Sequence, residues 1–302
     1  MMHPKASLAN RNIGADFSGL NGWSMYHGRS VPGFPQHPHR GFETISIIKR
    51  GFIDHSDSLK ATARIGPGDV QWMTAGRGIV HCEMFPLIED AAPNPTEFFQ
   101  LWLNLPARNK MVPPRFTMFW DEEVPFFRHQ DANNRISSGR VVAGTFFGLT
   151  PPSPPPDSWA SDPTADLGIL TFSMQPGARL TLNAAPGTQR MLYHYSGVDL
   201  TLNGTMVEVE HATQLRAEIP LTIVNGSAHS ELLLLQGRPI NEPVAKHGPF
   251  VMNSREEIVQ AMQDYRRTQF GVWPWSSRDP VHPRTEGRFA RHPDGTIVRP
   301  RT

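Results

Sequence analysis

The sequence contains one cysteine, Cys82, in 302 residues, so no disulfide can form within the chain. A chain without disulfides is typical of a reducing compartment. We therefore expect the protein in the cytoplasm, and also in the nucleus if the cell is eukaryotic. A single thiol also excludes the all-sulfur zinc sites that stabilise many small domains.

An excess of charge of either sign is absent as well. The chain has 29 basic and 28 acidic residues, a net charge of +1 at pH 7, so no global field attracts nucleic acid or a membrane surface. No apolar run reaches membrane-spanning length, and the opening MMHPKASLANRNIGADFSG lacks the apolar centre of a signal peptide. We expect neither direct nucleic-acid binding nor membrane association.

Glycine and proline, by contrast, are abundant. The chain has 25 glycines and 29 prolines, well above their ordinary combined share of ~12%. Runs of aliphatic and aromatic residues flank turns such as Pro67-Gly68 and Asn203-Gly204, which is the pattern of short strands joined by tight turns. The pattern occurs in both halves of the chain and predicts an all-β protein. It suggests a duplicated unit, although the two halves are too dissimilar to prove duplication.

Changes in composition divide the chain into five segments. A stretch dense in proline, TPPSPPPDSWASDPTAD, separates two strand-rich parts. Ser254 and Glu257 have the spacing of a capping box at the start of a helix, and the end of the chain is rich in arginine but poor in apolar residues. The predicted segments are an N-terminal domain at 1–150, a linker at 151–166, a C-terminal domain at 167–240, a returning segment with a helix at 241–275 and a flexible basic tail at 276–302.

Two pairs of residues have the spacing of metal ligands on strands. In HPHRGFETISIIKRG, His37 and His39 point to one face of a strand, and in GRGIVHCEM, His81 and Glu83 do the same while Cys82 points away. Two such pairs in one barrel can close on a single ion with three imidazoles and one carboxylate. This donor set suits iron(II), nickel, manganese or copper and leaves positions open for water, oxygen or substrate. Chance pairing among 13 histidines is the alternative.

The segments around these pairs carry a family resemblance. HPHRGFET, PGDVQWMTAGRGIVHCEM, FQLWLNL and GRPINEPVAKHGPFVMNSREEI follow one another in the order typical of pirins, so the chain resembles the pirin family of the cupin superfamily up to about Trp275. The resemblance implies a bicupin: two antiparallel β-barrels of the jelly-roll or cupin type, packed face to face, with a C-terminal helical segment returning across the first. It also implies one divalent transition metal in the N-terminal barrel, usually Fe²⁺, with Ni, Mn, Cu or Zn as alternatives. The implied ligands are His37, His39, His81 and Glu83.

Some residues depart from the general pattern of the superfamily. Glu43 has the spacing of a ligand in other cupins, but the resemblance to pirins takes the carboxylate from Glu83, so we expect Glu43 to lie around the ligands rather than on the metal. Cys82 replaces a serine that is common in pirins, and we interpret it as a small buried residue rather than a redox switch. His229 and Glu231 repeat the ligand spacing in the C-terminal barrel without a preceding histidine pair, so we expect that barrel to hold no metal.

The resemblance also implies a function. Several bacterial pirins resemble quercetin 2,3-dioxygenases, in which a flavonol is oxidised by O2, its central ring opens and carbon monoxide leaves. We expect an iron-dependent enzyme of this kind, with Glu83 as its catalytic proton acceptor. The alternatives are a metal- or redox-dependent transcriptional co-regulator that binds a protein partner without turnover, and a former enzyme that holds metal without chemistry.

Other residues near these motifs have two interpretations. Four apolar side chains could line a substrate pocket, although core packing is the simpler role for each: Phe42, Trp72, Met73 and Met84. His55 and Asp57 lie either in a solvated loop or within hydrogen-bonding reach of a ligand imidazole.

Overall fold

A computed structural model describes residues 31–301 of the chain and shows a protein of β-strands with one α-helix among these residues. The all-β class predicted from the turns and strand-like runs is confirmed. The segment before residue 31, which the sequence assigns to the N-terminal domain and predicts not to be a signal peptide, lies outside the described residues.

The strands follow one another with short connections through most of the chain. The strands up to residue 119 are β1 (Gly33–His39), β2 (Phe42–Arg50), β3 (Ile53–Asp57), β4 (Thr62–Ile65), β5 (Val70–Thr74), β6 (Ile79–Met84), β7 (Glu97–Asn104) and β8 (Arg115–Phe119). The next are β9 (Phe126–Gln130), β10 (Ile136–Ala143), β11 (Gly168–Met174), β12 (Arg179–Leu182), β13 (Gln189–Ser196), β14 (Leu200–Leu202), β15 (Thr205–Val207), β16 (His211–Leu215), β17 (Leu221–Val224) and β18 (Ser230–Gly237). The last elements are β19 (Ala245–His247), β20 (Phe250–Met252), α1 (Arg255–Thr268), β21 (Phe289–Arg291) and β22 (Ile297–Val298).

The described chain forms two compact units, which we call the first and second units. The first comprises the described residues up to Glu122 and those from Glu242 onward, and the second comprises Glu123–Asn241. Each unit is built around two larger antiparallel sheets, and the first also contains the two-stranded sheet β19-β20. Those of the first have the strand orders β1-β6-β3-β4-β21-β22 and β7-β2-β5-β8, and those of the second have the orders β16-β13-β18-β11-β10-β9 and β12-β17-β14-β15.

The division between the units differs from the sequence prediction. The N-terminal domain was predicted to end at residue 150, but β9 and β10 belong to the second unit because β10 pairs with β11 in the register Ser137 opposite Met174. The predicted linker 151–166 also lies within the second unit, where Ser158 caps a short 3₁₀ helix at Trp159–Ser161. Composition identifies the proline-rich stretch but carries no information on which sheet β9 and β10 join.

The end of the chain also differs from its prediction. Instead of a flexible tail, β21 pairs with β4 and extends a sheet of the first unit. The guanidinium of Arg64, buried on β4, forms two 2.7 Å hydrogen bonds with the carboxylate of Asp54. It also donates to the carbonyl oxygens of His282, Pro283 and Glu286. The arginine-rich composition suggested solvation, but the partner that orders this segment lies more than 200 residues earlier in the chain.

The helix α1 begins as predicted. Ser254 Oγ accepts the backbone N–H of Glu257, and the Glu257 side chain bonds back to the backbone N–H of Ser254, which completes the capping box. Ile258 and Ala261 face the interior of the first unit. In the described part of the chain, no helix has the length and apolar character needed to cross a membrane.

Candidate metal centre

Three histidines meet on the inner face of one sheet of the first unit. Strands β1 and β6 pair antiparallel with His37 opposite His81, and strand alternation places His39 on the same face as His37. The ring centroids are 4.4 Å apart for His37 and His81, and His39 lies 4.9 Å from each of the other two. One ring nitrogen from each residue lies within 4.8 Å of those of the other two. These residues form the trihistidine cluster.

The trihistidine cluster is buried on one side and open on the other. His39 is 3% exposed and His81 0% exposed, whereas His37 is half-buried. Both ring nitrogens of His39 and of His81 lack a hydrogen-bond partner among the described residues. Because buried polar groups almost always find a partner, such nitrogens indicate that a ligand belongs between them.

The hydrogen bonding of His37 fixes its tautomer. Its Nδ1 lies 2.8 Å from the carbonyl oxygen of Pro35, and because a carbonyl can only accept, Nδ1 carries the proton. The lone pair of Nε2 is then free to bind a metal, the arrangement that metal-binding histidines commonly show.

The environment keeps the imidazoles neutral. Burial lowers the pKa of His39 and of His81 well below the ordinary value of 6.5, and nearby imidazoles lower both further. Burial also lowers the pKa of His37, against the opposing effect of the negative charge of Glu83. Neutral imidazole is the form that donates a lone pair to a metal, so the trihistidine cluster fits a divalent transition metal at pH 7.

Glu83 lies beside the trihistidine cluster, and its oxygens are not part of the group of ligand atoms within 4.8 Å of one another. Gln100 Nε2 donates to both carboxylate oxygens at 2.7 and 2.8 Å, and Ser46 Oγ donates to one of them at 3.3 Å. Ser46 and Gln100 lie opposite each other on β2 and β7. The second sheet of the first unit therefore holds the carboxylate, and Glu83 shares the inner face with His81 as strand alternation predicted.

His55 and Asp57 lie on a strand next to the trihistidine cluster, and not in a solvated loop. Both are fully buried on β3, and His55 Nε2 lies 3.0 Å from Asp57 Oδ2. The His55 ring is 5.5 Å from the ring of His81 and stacks on Phe116 at 5.2 Å. The predicted hydrogen bond from this pair to a ligand imidazole is not formed among the described contacts, since the two bond to each other.

Glu43 and Cys82 both lie on faces that point away from the histidines. Glu43 lies three positions before Ser46 on β2 and therefore on the opposite face, and its Oε1 accepts a hydrogen bond from Thr74 Oγ1 at 2.7 Å. The expectation that Glu43 lies next to the metal ligands is therefore wrong, because its side chain points from the other face of β2. Cys82 is fully buried, as predicted, and burial raises the pKa of its thiol.

The four apolar residues that could either line a pocket or pack in the core separate into two pairs. Phe42 contacts the ring of His39 at 5.0 Å, and Met73 lies on the inner face of its strand, opposite Thr44. Trp72 and Met84 are out of phase with the inner face of β5 and β6, so they cannot line a pocket at the histidines.

Three side chains next to the cluster were not singled out from the sequence. Ser46, Gln100 and Trp102 alternate with apolar residues on β2 and β7, and the Trp102 ring lies 5.5 Å from His39. The alternation in FFQLWLN is visible in the sequence and places Gln100 and Trp102 on one face. The strand that faces β6 across the interior cannot be read from this pattern.

The second unit contains a buried histidine of a different kind. His194 on β13 is 2% exposed, whereas His229 is exposed just before β18. Between residues 31 and 301, His37, His39 and His81 are the one group of three or more His, Cys, Asp or Glu residues whose ligand atoms lie this close together.

The fold and the site together define a class. Two units of paired antiparallel sheets, the first with a trihistidine cluster that can hold a metal ion, are the arrangement of a bicupin. A family model described as Pirin matches residues 11–103, and one described as Pirin C-terminal cupin domain matches residues 169–271. The chain belongs to the pirin family.

Relatives and solved structures agree with this membership. The chain is 35% identical to human Pirin over 252 residues, which cover 82% of this chain and 80% of the human protein. It is 36% identical over 238 residues to a Pseudomonas aeruginosa protein described as a candidate quercetin 2,3-dioxygenase, with 79% of each covered. A crystal structure of a protein named quercetin 2,3-dioxygenase from Acinetobacter baumannii has a TM-score of 0.71 and 31% identity, with 80% of each chain covered.

Proposed function

We propose that this protein is an iron-dependent dioxygenase that cleaves quercetin-type flavonols with O2. The observation that carries the proposal is the trihistidine cluster, whose imidazoles are neutral and close together, with His37 partly exposed. Support for the flavonol as substrate class comes from the names of the Pseudomonas and Acinetobacter relatives.

His37, His39 and His81 would hold the metal, with Glu83 as the proposed fourth ligand. Fe²⁺ is the proposed ion, and Ni, Mn, Cu or Zn can take the same nitrogen and oxygen donors. When bound, the ion supplies a Lewis acid that acidifies a phenolic hydroxyl and a redox partner for O2.

The residues of the chain would handle the proton. The carboxylate of Glu83 is proposed to accept it from the flavonol hydroxyl, and Gln100 and Ser46 hold that carboxylate in a fixed orientation through three hydrogen bonds. The burial of His39 and His81 excludes water from the inner side of the site. The overall reaction consumes one flavonol and one O2, opens the central ring and releases carbon monoxide.

Anaerobic reconstitution tests the proposal. Protein purified without a chelating tag is loaded with Fe²⁺, mixed with quercetin and then exposed to air. We expect loss of the flavonol absorption band, matched by oxygen uptake and release of carbon monoxide. An absorption band that is unchanged after exposure to air, in protein loaded with Fe²⁺, Ni, Mn, Cu or Zn in turn, would contradict the proposal.

Two variants of Glu83 separate its proposed roles. Glu83→Gln keeps the shape and an oxygen donor but removes the proton acceptor, so we expect it to retain metal and lose turnover by about 10²-fold or more. Glu83→Ala removes the donor too and should weaken metal retention. Full metal content in Glu83→Ala would show that this carboxylate is not a ligand, and full turnover in Glu83→Gln would show that it is not the base.

A further inference from the structure

Trp102 connects the trihistidine cluster to the protein surface. The residue is 41% exposed, and its ring lies 5.5 Å from the ring of His39 in an edge-on arrangement and packs on Phe42 at 4.4 Å. Phe42 itself is 1% exposed and contacts His39 from the inner side. An exposed indole held against a buried residue next to a proposed metal ligand is a preformed surface for stacking.

A positive charge lies over the same ring. The Lys246 ammonium is 4.8 Å from the centre of Trp102, in a cation–π contact, and the Lys246 residue is exposed. Lys246 is on β19, so a strand from after the second unit brings this charge to β7. The rim of the site therefore carries an exposed indole with one cation over its ring.

Two buried polar side chains on the inner face point to a ligand that carries hydrogen-bonding groups. Thr44 lies opposite Trp102 in the β2–β7 register, and Gln71 lies opposite Ser46 in the β2–β5 register. Thr44 Oγ1 and both amide atoms of Gln71 have no hydrogen-bond partner between residues 31 and 301, although Thr44 is 0% and Gln71 1% exposed. Buried amides and hydroxyls normally have partners, so this wall is suited to hydroxyl or carbonyl groups.

We propose that Trp102 and Lys246 form a rim subsite that selects flat aromatic anions for the trihistidine cluster, with Thr44 and Gln71 as the polar wall behind it. The inference rests on the proposed function, because a deprotonated flavonol is such an anion, but it concerns binding rather than turnover. Lys246, an exposed side chain, turns from the ring of Trp102 to pair with the negative oxygen, and the ligand stacks on the face of Trp102 that Lys246 leaves. Both are positioning residues that determine specificity.

Binding without oxygen tests the subsite. The dissociation constant of quercetin is measured by titration calorimetry under anaerobic conditions on protein loaded with Fe²⁺, with metal content determined for every variant. An aromatic contact of about 0.5–1.5 kcal/mol corresponds to a loss of about 2- to 13-fold for Trp102→Leu, whereas Trp102→Phe should restore most of the affinity. Lys246→Met should weaken binding by about 2- to 5-fold, the range of an exposed cation–π or ion contact. Metal content should not change in these variants.

The control is Lys60→Met, which removes an exposed lysine from the turn between β3 and β4 and should leave the affinity unchanged. Equal affinities of the wild-type protein, Trp102→Leu and Lys246→Met would overturn the subsite. An equal loss in Lys60→Met and Lys246→Met would overturn the role of Lys246. Binding that depends on Trp102 but is not followed by oxygen uptake in air would support the subsite and contradict the proposed dioxygenase. Absence of any flavonol binding by the wild-type protein would contradict both.

Discussion

The two units have similar sheets but different interiors. In the first unit the inner faces carry histidines, a glutamate and amides next to the apolar residues. In the second unit the corresponding space is filled by a continuous apolar cluster, whose members include Phe127, Leu170, Phe172, Met174, Leu180, Leu192, Leu232 and Leu234. The same architecture thus encloses a histidine cluster that can hold a metal ion in one unit and a packed apolar core in the other, because the residues at alternate strand positions decide what the interior holds.

The units also differ in how the chain completes them. The second is one continuous segment, Glu123–Asn241, whereas the first requires the chain to return from Glu242 onward. The returning chain supplies β21, which pairs with β4 in a sheet of the first unit. It also supplies α1, where Asp264 forms a 2.8 Å ion pair with Arg40, and Lys246, which lies over the ring of Trp102. An interior rich in polar groups contributes less apolar burial, and we infer that the first unit depends more on such peripheral contacts.

The largest expected difference between the two units is the effect of a histidine substitution on metal content. His81→Ala removes one imidazole of the trihistidine cluster, and we expect loss of stoichiometric metal after dialysis. His194→Ala removes an equally buried histidine from the second unit and should leave the metal content unchanged. Metal analysis of both purified variants checks this prediction. Metal lost from His194→Ala and kept in His81→Ala would reverse the assignment of the site.

Loss of the contacts between Arg64 and the returning chain should have the next largest effect. Arg64→Met leaves the carboxylate of Asp54 buried without its partner and releases three carbonyl groups of the segment 282–286. Breaking a buried pair in this way costs about 3–5 kcal/mol of the free energy of unfolding. Denaturant unfolding measures the loss, and limited proteolysis should cleave the end of the chain faster.

A double variant controls for the loss of the charge itself. Asp54→Leu combined with Arg64→Met removes both charges together and should recover part of the stability, because replacement of both members of a buried ion pair by apolar groups is often tolerated. Unchanged unfolding and unchanged proteolysis in Arg64→Met would mean that the hydrogen bonds from Arg64 to the segment 282–286 contribute nothing to the stability of the first unit.

Substitutions in the two interiors should have opposite consequences. Leu232→Ala leaves a cavity in the second unit, since Leu232 is fully buried within its apolar cluster, and should cost about 2–5 kcal/mol. Gln71→Met in the first unit replaces an amide without a partner by an apolar chain of similar length, so the change should be within about 1 kcal/mol or stabilising. Denaturant unfolding of each variant against the wild-type protein tests the pair. A large loss in Gln71→Met would show that its amide has partners in solution.

Acid should weaken the metal-free first unit. The pKa values of His37, His39 and His81 are lowered from 6.5 in the folded protein, so below pH 6.5 the unfolded chain binds protons that the folded chain does not. The free energy of unfolding is therefore highest above pH 6.5 and falls as the pH drops toward the folded pKa values, by up to about 1.4 kcal/mol per pH unit for each histidine.

Unfolding curves of chelator-treated protein between pH 7.5 and 5 check the sign of this dependence. His39→Ala should flatten the curve, since it removes one of the contributing groups. Stability that is constant or rises on acidification would contradict neutral, buried imidazoles.

Much of the site can be predicted from the sequence, because each of its parts lies within one strand. The spacings of His37 and His39 and of His81 and Glu83 predict a shared face from strand alternation alone. The capping box of α1 and the turn-forming residues are equally local, and they predicted the helix start and the all-β class. In each case the decisive interactions join residues a few positions apart.

The tertiary structure decided what depends on pairing between distant strands. It placed β9 and β10 in the second unit, ordered the end of the chain on Arg64, turned Trp72 and Met84 away from the site, and brought Gln100 and Ser46 to Glu83. It also placed Lys246 over Trp102, across 144 positions of the chain. Sequence periodicity specifies which face of a strand is buried, but the neighbours of that strand are chosen by the packing of the whole unit.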